Sequence, residues 1–160
     1  MLRIAATLPR AARRQALTVD RISNGRLELD LGLGLTTDPS CAMMGRPNWS
    51  YRERTARFKE YVEIVDRLLS NEVTTYQGQF YRVDRAAMDP RPVQQPRPPI
   101  MIAAMGPTML KRAAEQADNW NSLSFAGTFD AHIAETRDRI RVVDEHCAAI
   151  GRDPASLRRS

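Results

Sequence analysis

Apolar and polar residues alternate along residues 27–34, and this period of two predicts a β-strand. One face of that strand carries Leu27, Leu29, Leu31 and Leu33, and the other carries Glu28, Asp30, Gly32 and Gly34. Residues 100–105 form an unbroken apolar run, which predicts a parallel strand covered on both faces. Shorter apolar runs at 2–8 and 120–125 predict two further strands.

Between and after these strands, apolar residues recur at the spacing of an α-helix. It predicts helices over residues 11–23, 51–69, about 108–116 and 130–150. The clearest apolar stripe, in 51–69, consists of Phe58, Tyr61, Val62, Val65, Leu68 and Leu69, and the last helix has Ile133, Ile140, Val143, Cys147 and Ile150. Asn24-Gly25 and Gly151 supply residues that tolerate positive φ at helix ends. Strands that alternate with helices indicate an α/β fold with a parallel sheet.

Two segments interrupt this alternation. Residues 35–50 have no clear period and predict a long loop after a strand, a place that often carries function. Trp49 and Tyr51 beside it are candidates for a pocket wall or for an anchor under the loop. Strands at 73–76 and 80–83 predict a hairpin, and five prolines between 90 and 99 then predict an extended connector.

Length and composition limit the class of protein. The 160 residues suffice for one domain with a core, but a complete eight-fold β/α barrel needs about 250 residues. No apolar run approaches ~20 residues and the N-terminus lacks a signal-peptide pattern, so we expect a cytoplasmic protein without a membrane span. The two cysteines have no metal-like spacing, which predicts neither a disulfide framework nor a metal site.

Charge and histidine content exclude several functions. The net charge is +5, but the arginines are spread among acidic residues without a basic block, so nucleic-acid binding is not expected. The two histidines, His132 and His146, both lie in the last predicted helix, away from strand ends. This placement argues against hydrolases of the Ser-His-Asp, Cys-His or zinc type, and no catalytic residue can be named.

Three features are candidates for a site. Gly106-Pro107-Thr108, between a strand and a helix, is either an anion cradle of backbone N–H groups or a tight turn. Gly32 and Gly34 either leave room for a flat ring system or allow a close helix–strand contact. Glu28 and Asp30 are either acid–base groups or members of structural ion pairs.

Five segments together resemble one known family, the luciferase-like flavin- or coenzyme F420-dependent oxidoreductases. They are LTVDRISNGRLELDLGLG at 17–34, RFKEYVEIVDRLL at 57–69, YQGQFYRV at 76–83, PRPVQQPRPPIMIAAMGPTMLKRAAEQADNWN at 90–121 and AAIGRDPASL at 148–157. The segments occur in the family's order and cover most of the chain. Asp20 and Arg26 belong to the family's DRxSxGR pattern, which implies that they tie helix to strand.

The resemblance implies a partial TIM (β/α)8 barrel, about strands 3 to 6 with their helices. It forms a single incomplete domain over residues 1–160 with a hairpin insertion at about 73–99. The implied cofactor is FMN or coenzyme F420. The implied cofactor contacts are Gly32, Leu33, Gly34, Ala104, Met105, Gly106, Pro107 and Thr108.

The implied function is that of an oxidoreductase or monooxygenase acting on a small-molecule substrate, from a truncated chain. The alternative is a non-catalytic fragment or subunit that retains only the scaffold. An incomplete barrel leaves its inward face open and its edge strands unpaired. We therefore expect association with a second copy or with a complementing chain.

Overall fold

Strands and helices alternate along the chain in a computed structural model that describes residues 2–3, 9–34, 39–43, 45, 47–87 and 89–160. The chain divides into two compact units, Met1–Pro99 and Ile100–Ser160. The single domain expected over residues 1–160 stays a prediction.

The described residues of the first unit form two pairs of strands and three helices. Its elements are β1 (Leu2–Arg3), α1 (Pro9–Ile22), β2 (Leu29–Gly32), α2 (Ser40–Met43), α3 (Tyr51–Ser70), β3 (Val73–Gln77) and β4 (Arg82–Ala87). β1 and β2 are parallel, with Leu2 opposite Leu31. Residues 4–8 of the predicted first strand, and residues 35–38, 44 and 46 of the predicted loop, lie outside the described residues.

The alternation of β2 has the predicted consequence for burial. Leu29, Leu31 and Leu33 are buried, whereas Asp30 between them is only half-buried. The predicted end of α1 is also present, because Asn24 and Gly25 both have positive φ, at 53° and 76°. A left-handed backbone at these two positions reverses the chain after the helix and directs it into the strand.

Helix α3 buries the predicted stripe. Ser50 caps the helix, since its Oγ accepts a hydrogen bond from the Glu53 N–H at 3.3 Å. The helix packs against α1 and β3. Its residues Ile64 and Leu68 form a small apolar cluster with Val83 of β4, and three partly buried side chains pack on this cluster: Tyr76, Tyr81 and Ala86.

The hairpin is antiparallel, as predicted, but its second strand begins at Arg82 rather than at residue 80. The physical reason is Glu60 of α3, whose carboxylate accepts the N–H groups of Gln79, Phe80 and Tyr81 at 2.8, 3.0 and 3.2 Å. These amides are therefore not available to the strand ladder. Gly78 allows this approach, because a Cβ there would lie 2.3 Å from the Glu60 Oε2.

The connector after the hairpin is held by the buried carboxylate of Asp20. Asp20 Oδ2 accepts the N–H groups of Val93 and Gln94 at 2.7 and 3.3 Å, and Oδ1 accepts the Gln94 Nε2 at 2.9 Å. Gln94 Nε2 also donates to the Leu27 carbonyl. Arg26 instead donates to the Ser23 carbonyl within the turn after α1. Asp20 thus joins α1 to the connector and, through Gln94, to the segment that enters β2.

The second unit contains a parallel three-stranded arrangement. Its elements are β5 (Ile100–Ala103), α4 (Pro107–Gln116), β6 (Asn119–Asn121), α5 (Phe129–Ala149), a 3-10 helix (Pro154–Ser156) and β7 (Arg158–Arg159). β6 pairs with β5 on one side and with β7 on the other. Asp118 fastens the start of this sheet, because its Oδ2 accepts the Ile100 N–H at 2.8 Å while its own N–H donates to the Ile100 carbonyl.

Two sequence predictions for the strands of this unit need correction. β6 covers residues 119–121 rather than 120–125, and Leu123 and Phe125 are exposed. β5 is buried on one face only, at Ile100 and Ile102, while Met101 and Ala103 are half-buried. An unbroken apolar run therefore overstated the burial of the second face.

The stripe predicted for α5 is buried only in its second half. Val143 and Cys147 are fully buried, whereas Ile133 and Ile150 are exposed. Thr128 caps the helix through its hydroxyl, which accepts the Ala131 N–H. Within the described ranges, no helix combines the length and the apolar character that a membrane crossing needs.

One polar side chain in β2 lacks compensation. Asp30 Oδ1 is buried and accepts no hydrogen bond. Burial raises the pKa of the Asp30 carboxyl above its ordinary value; the positive charge of the N-terminus opposes this shift, and the charge of Glu28 adds to it. The two roles predicted for Glu28 and Asp30, acid–base groups or structural ion pairs, stay predictions.

Removing the Asp20 carboxylate is expected to destabilise the fold. In Asp20→Ala the amides of Val93 and Gln94 lose their buried acceptor, so the free energy of unfolding should fall by about 3 kcal/mol. Urea denaturation measures this loss. The matched control is Asp84→Ala on exposed β4, for which a change within about 0.5 kcal/mol is expected. Equal small effects of both changes would refute the role of Asp20.

Removing the charge of Asp30 is expected to stabilise the protein at neutral pH. An acid whose pKa is raised by folding opposes folding once it ionises. The gain from Asp30→Asn should be absent below the unfolded pKa of about 3.9, grow as the pH rises through the folded pKa, and level off near about 0.5 kcal/mol. Urea denaturation at several pH values tests this, with Asp84→Asn as the control. A gain that is independent of pH contradicts the argument.

Candidate cofactor site

The junction between β5 and α4 has unused backbone donors. Gly106 is the N-cap of α4 with extended φ and ψ of −89° and 159°, and no side chain caps this helix. Its carbonyl accepts the N–H groups of Met109 and Leu110 at 3.0 and 2.9 Å. Within the described part of the chain, the amides of Gly106 and Thr108 donate no hydrogen bond. Two amides, beside the exposed Thr108 hydroxyl, are thus available to a ligand.

The charge at this junction suits an anion. The first turn of α4 contains no acidic residue, and Pro107 at its first position contributes no N–H group. The helix dipole places partial positive charge where the free amides lie. Lys111 follows one turn later and is exposed. The first amides of any α-helix lack a partner within the helix, so the unused amides fit both interpretations of Gly106-Pro107-Thr108, an anion cradle and a tight turn, and the role of this segment stays a prediction.

The end of β5 is held in place by Trp120, a residue that the sequence analysis did not single out. Trp120 is buried, and its indole N–H donates to the Ala104 carbonyl at 2.9 Å. The Ala104 N–H donates in turn to the Asn121 carbonyl at 3.1 Å. The N–H and the carbonyl of Ala104 therefore both have partners within the chain. Ala104, a predicted cofactor contact, can touch a cofactor only by van der Waals contact and not by a backbone hydrogen bond. The sequence contained a signal for this contact, because a Trp in a short strand needs a partner for its indole N–H group.

The other predicted contacts, Gly32, Leu33 and Gly34, lie in the first unit at the end of β2. Gly32 and Leu33 are buried, and Gly34 has a positive φ of 75°. The backbone conformation alone thus requires glycine at Gly34. Gly32 has no positive φ, so its conformation gives no such reason for glycine. The joining of these residues with the second unit's 104–108 segment stays a prediction.

Trp49 has a contact that an anchor needs, while its alternative role as a pocket wall stays a prediction. Its ring packs on the guanidinium of Arg57 at 4.3 Å, and the same guanidinium contacts the ring of Phe80 at 4.5 Å. Arg57 also pairs with Glu53 at 2.8 Å. The end of the predicted loop is therefore fastened to α3 and to the hairpin turn. Tyr51 is half-exposed beside it.

Solved structures resemble this chain over nearly its full length. Monooxygenase RslO1 from Streptomyces bottropensis is 27% identical with a TM-score of 0.76, and 99% of this chain covers 46% of that one. The coenzyme F420 dependent tetrahydromethanopterin reductase from Methanopyrus kandleri is 20% identical with a TM-score of 0.82, covering 99% and 47%. Riboflavin lyase RcaE, solved with modified FMN and riboflavin, is 15% identical with a TM-score of 0.84, covering 99% and 38%.

These neighbours are luciferase-like TIM-barrel proteins, which confirms the predicted fold class. The chain spans less than half the length of each of the three. Residues 5–160 match the family described as luciferase-like monooxygenase. That match covers almost the whole chain and agrees with the resemblance in the five sequence segments, so the chain belongs to the luciferase-like monooxygenase family.

Proposed function

We propose that the chain forms part of the cofactor site of an oxidoreductase that uses FMN or coenzyme F420, with the start of α4 binding the cofactor's phosphate. The observation that carries this proposal is the pair of unused amides at Gly106 and Thr108. A phosphate supplies the acceptor oxygens that these donors lack, and it matches the positive end of the helix dipole. Membership of the luciferase-like family supports the same cofactor classes.

The residues of this chain bind and orient the cofactor. Gly106 lets a phosphate approach the backbone, and the Thr108 hydroxyl offers a third donor beside the amides. Trp120 holds the end of β5, so the amides remain in register with the sheet. Gly32, Leu33 and Gly34 at the end of β2 are the proposed contacts of the flat ring. When bound, FMN or F420 supplies the redox chemistry, while the protein positions the ring and excludes water.

Activity, substrate and partners follow as further parts of the proposal. The substrate is a small molecule, and monooxygenase and dehydrogenase chemistry are both compatible with the two cofactors. The chain spans less than half of each neighbouring structure. The proposed partner is a second copy or a complementing chain. The second candidate is a non-catalytic subunit that retains only the scaffold.

Cofactor titration separates the two candidates. Reduced and oxidised FMN and F420 are added to the purified chain, and fluorescence quenching is followed through the micromolar range. Saturable quenching by either cofactor supports the proposed site. No response to either cofactor supports the scaffold candidate and overturns the proposed function of this chain.

Gly106→Asp is expected to block phosphate binding without unfolding the helix. The φ and ψ of Gly106 are open to any residue, and Asp is a favoured N-cap whose carboxylate accepts the amides at Thr108 and Met109. The variant should be at least as stable as the wild type, but its affinity for FMN should fall about 10- to 100-fold. Affinity for riboflavin, which lacks the phosphate, should change much less.

Gly127→Asp is the matched control, because Gly127 is exposed and a Cβ there meets no atom within 4 Å. It adds the same charge to the same unit away from α4, so FMN affinity should stay near the wild-type value. Equal losses for FMN and riboflavin in Gly106→Asp, or equal losses in both variants, would rule out a phosphate contact at this helix start.

A further inference from the structure

The segment that follows β6, residues 122–126, is fastened to α5 by one arginine, and we call this segment the β6 loop. The Arg139 Nη1 donates to the Ser122 Oγ at 3.3 Å and to the Leu123 carbonyl. Its Nη2 pairs with the Glu135 carboxylate at 2.9 Å. A planar guanidinium directs its N–H groups along fixed lines, so these bonds set the path of the loop along the helix.

The two serines of the β6 loop face the helix. The Ser122 hydroxyl accepts the arginine's N–H, and the Ser124 hydroxyl donates to the Glu135 Oε2 at 2.6 Å. The apolar residues that alternate with them are turned outward, since Leu123 is 53% exposed and Phe125 is 79% exposed. Polar side chains thus occupy the sheltered side of this loop, and apolar side chains occupy the solvent side.

This distribution is the reverse of the one that hydrophobic burial favours. Removing Leu and Phe side chains from water stabilises a fold, so an unrestrained loop turns them inward and leaves its serines in water. In the β6 loop, the hydrogen bonds to Arg139 and Glu135 hold the opposite arrangement. The outward direction of Leu123 and Phe125 is therefore fixed by these bonds, and an apolar ligand would remove their unfavourable contact with water.

The β6 loop starts at the sheet edge that carries the free amides of Gly106 and Thr108. β5 and β6 are parallel, with Ala103 opposite Asn121, and the Ala104 N–H donates to the Asn121 carbonyl at 3.1 Å. Both strands therefore end together. Ligands of β/α folds bind at the carboxyl ends of the strands, and the two segments leave the sheet from these ends.

We propose that Leu123 and Phe125 are specificity-determining residues for an apolar substrate, one with an aromatic ring or an alkyl chain, and that Arg139 is the positioning residue that presents them. This inference rests on the proposed function, because it assigns the substrate to the same sheet edge as the cofactor. The cofactor's phosphate binds the amides at the start of α4, and the substrate packs on the β6 loop. Contact with two apolar side chains selects substrates by apolar area and not by charge.

The neutral dye N-phenyl-1-naphthylamine is the probe, because it has aromatic rings but no phosphate and its fluorescence rises when it leaves water. The wild type should bind it saturably in the micromolar range, and Phe125→Ser should bind it about 10-fold more weakly. Phe129→Ser is the matched control, since Phe129 is 77% exposed but belongs to α5 and not to the β6 loop. Its dye affinity should equal that of the wild type.

Arg139→Met tests the positioning role. This variant keeps the apolar side chains of the loop but loses the bonds that direct them, so dye affinity should fall several-fold and the amides of residues 122–126 should exchange hydrogen about 10-fold faster. Arg141→Met is the control on the same helix, because Arg141 also pairs with a glutamate four residues away, Glu145 at 3.2 Å. It should change neither quantity. All measurements are made well below the Tm of each variant, so that unfolding does not contribute.

Two further measurements separate this inference from the proposed function. Gly106→Asp should bind the dye as the wild type does, because the dye has no phosphate, and Phe125→Ser should bind FMN as the wild type does. Dye binding at Phe125 by a chain that binds no FMN would overturn the proposed function and support the apolar site. A loss of FMN affinity in Phe125→Ser overturns the assignment of the loop to the substrate.

Equal dye affinity of Phe125→Ser and the wild type, or a loss that Phe129→Ser shares, overturns the inference. Sedimentation velocity tests a second copy as the alternative occupant of the loop. If the wild type binds no dye and is a dimer that Phe125→Ser converts to a monomer, the β6 loop contacts a second copy and the inference is equally overturned.

Discussion

The connections of this protein depend on one constraint, that a backbone N–H withdrawn from water needs an acceptor. Carboxylates meet that need at three chain reversals. Asp20 accepts the connector amides, Glu60 accepts the amides of the hairpin turn, and Asp118 accepts the first amide of β5. Each of these carboxylates links two segments that the apolar faces of the helices and strands do not hold together. The prolines of the connector cannot form a ladder of their own, so Asp20 decides where this segment lies.

The start of α4 is informative because it departs from that pattern. The longer helices α3 and α5 begin at Ser50 and Thr128, whose hydroxyls accept an amide of the first turn. α4 begins at Gly106, which has no side chain to accept one. A helix that begins without a side-chain cap, immediately after a strand, has first-turn amides that remain open to solvent or to a ligand. The chemistry of the site thus follows from a missing side chain.

Much of the fold could be predicted from periodicity, because leucines at period two and the stripe of α3 report burial directly. The hairpin boundary could not, since it depends on Glu60, which lies about twenty residues earlier and shows no local signal. Burial of β5 was overestimated for a related reason, because apolar composition does not state which face is covered. For the site, the sequence indicated the Gly106 junction. It could not predict the hydrogen bond from Trp120 to the Ala104 carbonyl, because that bond depends on how two strands pair.

Arg13 and Asp30 show how buried charge separates structural from functional explanations. Asp20, Glu60 and Asp118 are charged groups whose acceptor atoms are used, so packing and hydrogen bonding account for them. Arg13 and Asp30 each have a buried polar atom without a partner, and neither is compensated by its own helix or strand. Burial raises the pKa of the Asp30 carboxyl, which makes its ionised form less favourable in the folded protein. A guanidinium stays charged near neutral pH, so the unpartnered donors of Arg13 oppose folding.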